Sequence, residues 1–556
     1  MITWRQIAVG MALALIGTSA AAQDADLVLY NGKVVTVDAS SSVQEGLAIR
    51  GGRIAAVGSS AVVRKLAGSG TRSIDLQGRT VIPGLIDSHM HATRAALSFS
   101  TEVNWIGAVS LADALERLRK AAAAARPGAW LVVATPPATL EAFPERRRPT
   151  QRELVDAAPN HPVYVQLGYG WAMLTPKAFE ALGIRTDADL PAQVRFDRDS
   201  TGTLTGALTG NMVPLFDRLP RPGFDDQVAG TKLFFRELNR LALTGVVDPG
   251  GNNMTPTEYQ ALFKVWRDGE MSVRVVFSLC GITPGKEFDE LQQYLAMMPQ
   301  GFGDDLLRFN GIGERITWAM NGISGVPTPD VREAYVKIVR WAAQRGLSLT
   351  MHWDSDKNVD ELLRIFEDVN TETPIAPLRW TIAHLNDASP ATLQRMKQLG
   401  VGWTVQGAMY NRGDGAAKEA GDAVKRMPPV VTGAKLGVPI GAGTDAHRVS
   451  TYNPFTTLQW LLDGRNASGT PLRGPEETPS RIEALRLYTL GSAWVAHAED
   501  RRGTLEVGKL ADLAVLSGDY LTVPIDRIGQ LQSVLTLVGG RVVYADAPFA
   551  ALESAR

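Results

Sequence analysis

The chain has 556 residues, with 57 Lys and Arg against 58 Asp and Glu, a balance that excludes a broad electrostatic footprint for nucleic acid. Apolar residues at 45% and charged residues at 21% fit a large globular domain plus a smaller one, and exclude a disordered chain. The single cysteine, Cys280, excludes an intrachain disulfide and a thiolate-rich metal site, leaving His and carboxylate as candidate ligands.

In chain order, Arg5 precedes the apolar stretch Ile7 to Ile16, and Ser19-Ala20-Ala21-Ala22-Gln23 follows as an Ala-x-Ala cleavage site. Residues 1–22 therefore read as a signal peptide, too short in its apolar part for a stable span. The expectation is a periplasmic or secreted protein with no membrane attachment after cleavage.

From residue 26 to 82, short β-patterned runs such as Leu27 to Tyr30 and Leu47 to Arg50 are separated by turn signals, among them Asn31-Gly32 and Gly51-Gly52. Asp512 to Leu516, Val534 to Val538 and Arg541 to Tyr544 repeat the style at the other end. Neither end holds enough strands for a core of its own, so residues 23–82 and 497–556 are expected to build one small β-sandwich together.

Between them, apolar strands alternate with amphipathic helices. Ser110 caps a helix from Leu111 to Ala125, Thr328-Pro329 opens one closed by Gly346, and Ser389-Pro390 opens one closed by Gly400. The apolar runs Leu347 to Met351 and Val401 to Val405 follow the last two. This rhythm predicts an α/β fold, a (β/α)8 TIM barrel over residues 83–496. Residues of about 105–230 are too many for one loop and are expected to form an insertion over the barrel mouth.

The strongest chemical signal lies at the first barrel strand. Val81-Ile82-Pro83-Gly84-Leu85-Ile86-Asp87 runs into Ser88-His89-Met90-His91, and a period of two puts both imidazoles on one face. His352 ends Leu347 to Met351, His384 ends Trp380 to Ala383, and Asp445 ends Val438 to Thr444. Each closes an apolar run before a helix, at the rim where barrel enzymes place their sites. Four of the chain's seven histidines fall at such positions, a pattern for a zinc-type site rather than for scattered core histidines.

Together, Pro83 to His91, His352, His384 and Gly443-Thr444-Asp445 resemble the amidohydrolase superfamily, and Gly503 to Leu513 looks like its C-terminal signature. The nearest likeness is the amidohydrolase-3 branch, which includes N-substituted formamide deformylases and, more distantly, D-aminoacylases. The resemblance implies that His89, His91, His352 and His384 bind metal, and that Asp445 contacts metal and shuttles the proton. Many members bridge two metals with a carboxylated lysine on the fourth strand, but here no lysine occurs between Lys286 and Lys337. Glu314 stands in that region and is the candidate bridge; without a bridge the site would be mononuclear. Related branch members often carry a Gly-His pair where this chain has Gly168-Tyr169-Gly170-Trp171, so substrate contacts are not carried over there.

The expected cofactor is therefore a divalent metal, one or two ions per chain. Zinc is favoured by the His-rich set, although iron, manganese or cobalt fit similar ligands. The expected reaction is hydrolysis of a non-peptide amide, an N-acyl or N-formyl amine, by activated water with Asp445 as the proton carrier. A lactonase or esterase on the same site, and a barrel that only binds a small molecule, are the alternatives. No Gly-x-Ser-x-Gly elbow is present. His447, Tyr169, Trp171 and Trp353 are candidate substrate contacts, with Trp318 and Trp403 as further aromatic candidates. Asp356 is a candidate support for an imidazole, His161 a turn residue, His497 a surface or interface residue and Cys280 a core residue. The expected partner is a small-molecule substrate, with homo-oligomerisation possible and no nucleic acid.

Overall fold

A computed structural model describes residues 24–251, 254–320 and 325–553; the expected signal peptide, residues 1–22, lies outside the described residues. Its centre is a ring of parallel strands: β1 (Leu85–Asp87), β2 (Leu243–Asp248), β3 (Arg274–Leu279), β4 (Leu307–Ile312), β5 (Thr350–Trp353), β6 (Thr381–His384), β7 (Gly402–Gln406) and β8 (Ile440–Gly443). β1 to β4 form one ladder and β5 to β8 another. The two are joined by a parallel bridge between Ile312 and Leu349. The ring closes where the Ser88 N–H donates to the Ala442 carbonyl at 3.0 Å. Eight parallel strands with outer helices make the expected TIM barrel.

Several strands begin later than their apolar runs. Leu347 to Met351 predicts a strand that the structure places at Thr350–Trp353, and Trp380 to Ala383 one placed at Thr381–His384. Strands covered on both faces are apolar throughout, so apolarity does not mark where the hydrogen-bonded ladder starts. In consequence the two histidines lie within the last residues of their strands.

Strands from both chain ends share a sheet. Thr80–Pro83 pairs in parallel with Lys33–Val35 and antiparallel with Leu513–Leu516, which continues to Ser533–Val538 and Arg541–Ala545. A second sheet of Leu27–Tyr30, Gly46–Arg50, Arg53–Gly58 and Arg72–Asp75 packs against it through Leu29, Leu47, Leu513 and Leu535. Gly84 carries the chain from this sandwich into β1, where a Cβ would fall 2.2 Å from Thr244 Oγ1. The seam is locked by a buried bidentate pair, with Arg274 of β3 donating to Asp512 at 2.7 and 2.9 Å.

The segment between β1 and β2 holds its own five-stranded sheet, from Leu131–Thr135 to Leu204–Gly210, with the capped helix at Leu111–Ala124 beside it. Phe224–Arg240 returns the chain to β2 along the barrel wall. Among the described residues no helix is long and apolar enough to cross a membrane.

Candidate metal centre

Strand ends bring the predicted ligands together at one mouth of the ring. His89 and His91 follow β1, Glu314 follows β4, His352 and His384 close β5 and β6, and Asp445 follows β8. The His-x-His segment is wedged between its neighbours by close backbone approach. Gly443 must be glycine here, because a Cβ would lie 2.6 Å from both Asp87 Oδ1 and the His89 nitrogen. Gly313, just before Glu314, is equally confined: its Cβ would lie 1.8 Å from the Pro249 carbonyl oxygen. His384 and Asp445 adopt left-handed backbone, φ 71° and 58°, a conformation uncommon outside glycine that concentrates at functional sites.

Nitrogen and oxygen donors converge in two overlapping groups, His89 with His91 and Asp445, and His89 with Glu314 and His384; within each, all donor atoms lie within 4.8 Å of one another. Asp445 Oδ1 is 3.3 Å from His91 Nε2 and 3.7 Å from His89 Nε2. Glu314 turns one oxygen each way. Its Oε2 lies 3.3 Å from His91 Nε2, while Oε1 lies 3.5 Å from His384 Nε2 and 3.9 Å from His89 Nε2. His352 stands outside both groups, with Nδ1 hydrogen-bonded to Glu314 Oε1 and Nε2 3.3 Å from Asp354.

These residues fit a divalent cation. His89 is fully buried, yet neither ring nitrogen has a hydrogen-bond partner, whereas buried polar atoms are nearly always partnered. Imidazole and carboxylate are the donor set of zinc and similar ions. Cys280 is not part of the set; its buried thiol faces the Pro249 carbonyl and is pushed up to about 11 by burial. Charge points the same way. Burial opposes ionisation of Glu314, yet the neighbouring imidazoles, His352 foremost, hold its carboxyl well below the usual range. Burial and Arg94 oppose a charge on His91, but Asp445 and Glu314 hold it up at about 10. The two carboxylates thus draw positive charge into the centre.

A ring of supports fixes the ligands. The His91 Nδ1–H donates to the Gly250 carbonyl at 2.5 Å, which leaves Nε2 facing the centre. Asp248 at the end of β2 holds that turn, accepting from the Gly250 N–H at 3.0 Å and from the Thr93 backbone and hydroxyl at 2.7 and 2.5 Å. Asp87 accepts from the His89 N–H at 2.9 Å and the Thr444 hydroxyl at 2.7 Å. Trp403 donates to the His384 carbonyl at 2.9 Å and is otherwise core.

The remaining candidates divide. His447 is buried with neither ring nitrogen hydrogen-bonded, its Nε2 3.6 Å from Glu102. Tyr169 lines two cavities, of about 740 and 210 Å³, and Trp171 lines the larger beneath Arg148, 4.8 Å away. Trp353 packs in the barrel core, and Trp318 lies under Arg315. The His161 Nδ1–H donates to the Ala129 carbonyl at 2.9 Å, which ties its bend to the loop 32 residues earlier. Asp356 does not support an imidazole. Asp354 does, because two residues of extended chain after His352 return a side chain to the same side. His497 is half-buried, with its Nε2 2.8 Å from Ser348 Oγ below the barrel. The basic run Arg146-Arg147-Arg148 is exposed and edges the larger cavity. Sequence reasoning missed Arg94, Glu102 and Arg448. Only Arg94 carried a signal, three residues after His91 on the helix that opens there.

Comparison with known proteins agrees with this architecture. The family model described as "Amidohydrolase family" matches residues 72–544. An N-substituted formamide deformylase from Arthrobacter pascens is 26% identical over 93% of this chain and 98% of its own. A metal-dependent hydrolase structure from Pyrococcus horikoshii superposes with a TM-score of 0.65 at 23% identity, over 90% of this chain and 99% of that one. An adenosine deaminase from Xanthomonas campestris, solved with bound zinc, superposes at 0.55 and 14% identity, over 95% and 96% of the two chains. With the family model spanning barrel and sandwich alike, the chain belongs to the amidohydrolase family and is a metal-dependent hydrolase.

Proposed function

We propose that this enzyme hydrolyses a non-peptide amide, an N-acyl or N-formyl amine, at a centre that takes two divalent cations, zinc by donor preference, with Glu314 as the bridge. The observation that carries the reading is the split of Glu314, one oxygen toward His91 and the other toward His384 and His352. A carboxylate so placed serves both ligand groups, the office a carboxylated lysine holds in many relatives. The similarity to a formamide deformylase supports the choice of bond.

Bound metal supplies a Lewis acid for the carbonyl oxygen and a water acidic enough to attack at neutral pH. The protein supplies the rest. Asp445 is held over the imidazoles by its own N–H, which donates to the His89 carbonyl at 2.8 Å. Burial opposes its ionisation, but His91 and its neighbours keep the carboxyl below the usual range, so it is charged and ready to accept a proton. It takes that proton from the attacking water on a carboxylate oxygen and returns it to the departing nitrogen, which leaves as a neutral amine. Tyr169 and His447 at the mouth contact the substrate.

Elemental analysis of wild type beside Glu314→Ala, with turnover of an N-formyl amine, tests this. The expected result is nearly two metals per wild-type chain and one or fewer in the variant, with activity lost to a chelator. Nearly one metal in both would remove the bridging role. Chelator-insensitive activity in metal-free protein would overturn the mechanism.

A further inference from the structure

Arg94 lies on the short helix Ala92–Ser98 that begins at His91. Its guanidinium lies behind His91, on the Nδ1 side of the ring: a Cβ built on Gly251 would lie 3.2 Å from His91 Nδ1 and 3.5 Å from Arg94 Nη1. Among the described residues Arg94 forms no ion pair, and its buried Nε has no hydrogen-bond partner. Nearby Arg448 differs, being paired to Glu102 at 2.8 Å and stacked on Phe216 at 4.4 Å. Arg94 and Tyr169 line the 210 Å³ cavity, whose walls also include the apolar Leu97, Val132, Val213 and Phe216 and the charged Glu102, Glu258 and Arg448. Such a space accepts an apolar group about the size of a phenyl ring, with the Arg94 cation in its wall. Arg94 is half-buried with its Nε–H unpartnered, and a guanidinium so placed is a usual means of holding a carboxylate.

We propose that Arg94 binds an anionic group, a carboxylate, on the substrate, and so restricts the enzyme to amides that carry such a group next to an apolar body. The proposal rests on the amide reading above and narrows it. Asp445 and Glu314 also lie within reach of the Arg94 charge, so the competing role is balancing those two carboxylates. The two roles differ in one respect: only an anion-binding residue distinguishes substrates that differ by a carboxylate.

The test compares N-formylphenylalanine with N-formylphenethylamine, the same amide without the carboxylate, in wild type, Arg94→Met and Arg94→Lys holoenzyme. Wild type is expected to prefer the acid in kcat/KM, chiefly through KM. The acid-to-neutral ratio should fall about 30-fold or more in Arg94→Met, as expected for loss of a charge-assisted contact, and by less in Arg94→Lys. Circular dichroism and metal content establish that each variant is folded and loaded. A wild type that turns over both amides alike, or a ratio unchanged in Arg94→Met, would overturn the proposal and assign Arg94 to charge balance. Hydrolysis of neither amide would refute the amide reading instead. Calorimetric binding of the same pair to wild type and Arg94→Met would then decide: Arg94-dependent preference for the acid supports the proposal, and equal or absent binding ends it.

Discussion

Replacing Gly443 with alanine tests the link between backbone packing and the metal centre. The added Cβ would meet Asp87 Oδ1 and the His89 nitrogen at 2.6 Å, and the His89 carbonyl oxygen at 3.1 Å. Ordinary contacts of this kind lie near 3.5 Å, so β1 and β8 must separate by roughly 0.9 Å. The strand that gives way carries both imidazoles of the His-x-His motif, and Asp87 loses the hydrogen bonds that fix them. Overpacking and a poorly satisfied buried carboxyl together cost about 2–4 kcal/mol. Displacement of His89 and His91 on this scale lowers kcat/KM about 100-fold. Urea denaturation, metal content and amide turnover measure the three effects. Gly415, exposed within the helix Ala408–Ala420 and with nothing within 4 Å of a Cβ, is the control. Alanine there should stabilise by about 0.5–1 kcal/mol, the opposite sign. A Gly443→Ala protein with wild-type stability and full metal would refute the reasoning.

Two further predictions concern charge. Asp512→Ala removes the partner of buried Arg274 and leaves it beside buried Arg502, whose own pKa burial and Arg274 already push down to about 9. Loss of about 3–5 kcal/mol in denaturation is expected at this seam between barrel and sandwich, and a loss below 1 kcal/mol would contradict the role given to the pair. Burial disfavours the Glu102 carboxylate, yet Arg448 and His447 hold its pKa at about 2 against an ordinary 4.5. A folded pKa below the unfolded one gives stability that is present above pH 4.5 and lost as the pH falls toward 2, here about 3 kcal/mol. Glu102→Gln should flatten the acid side of the stability curve by that amount; parallel curves for the two proteins would exclude it.

The barrel was legible because its signals are local and repeated. Apolar runs ending in His89, His352, His384 and Asp445 are each visible within a dozen residues, and period-two spacing alone sets His89 and His91 side by side. Helix limits were legible for the same reason: Ser110 and Ser389 cap through their own side chains, and Gly400 closes its helix with φ 70°. Strand limits were not, since apolar packing extends beyond the ladder. The position of Glu314 was found by the absence of lysine, but its two-sided placement depends on the ring closing so that the ends of β1, β4 and β6 meet, which no local pattern states.

The supports were illegible for a different reason. Asp248 matters because the turn at Gly250 and the Thr93 backbone, 155 residues before Asp248, meet at its carboxylate. Glu102 and Arg448, 346 residues apart, form a pair only because the segment after β1 meets the loop that follows β8. A carboxylate or guanidinium in a loop looks like a solvated surface charge until the loops that converge on it are known. Ligands repeat at strand ends, where the fold's periodicity exposes them, whereas the groups around them are set by which loops happen to meet. The ligands of this enzyme are consequently written in its strands, whereas neighbours such as Arg94 and Tyr169, which line one cavity, are brought together only by the folded chain.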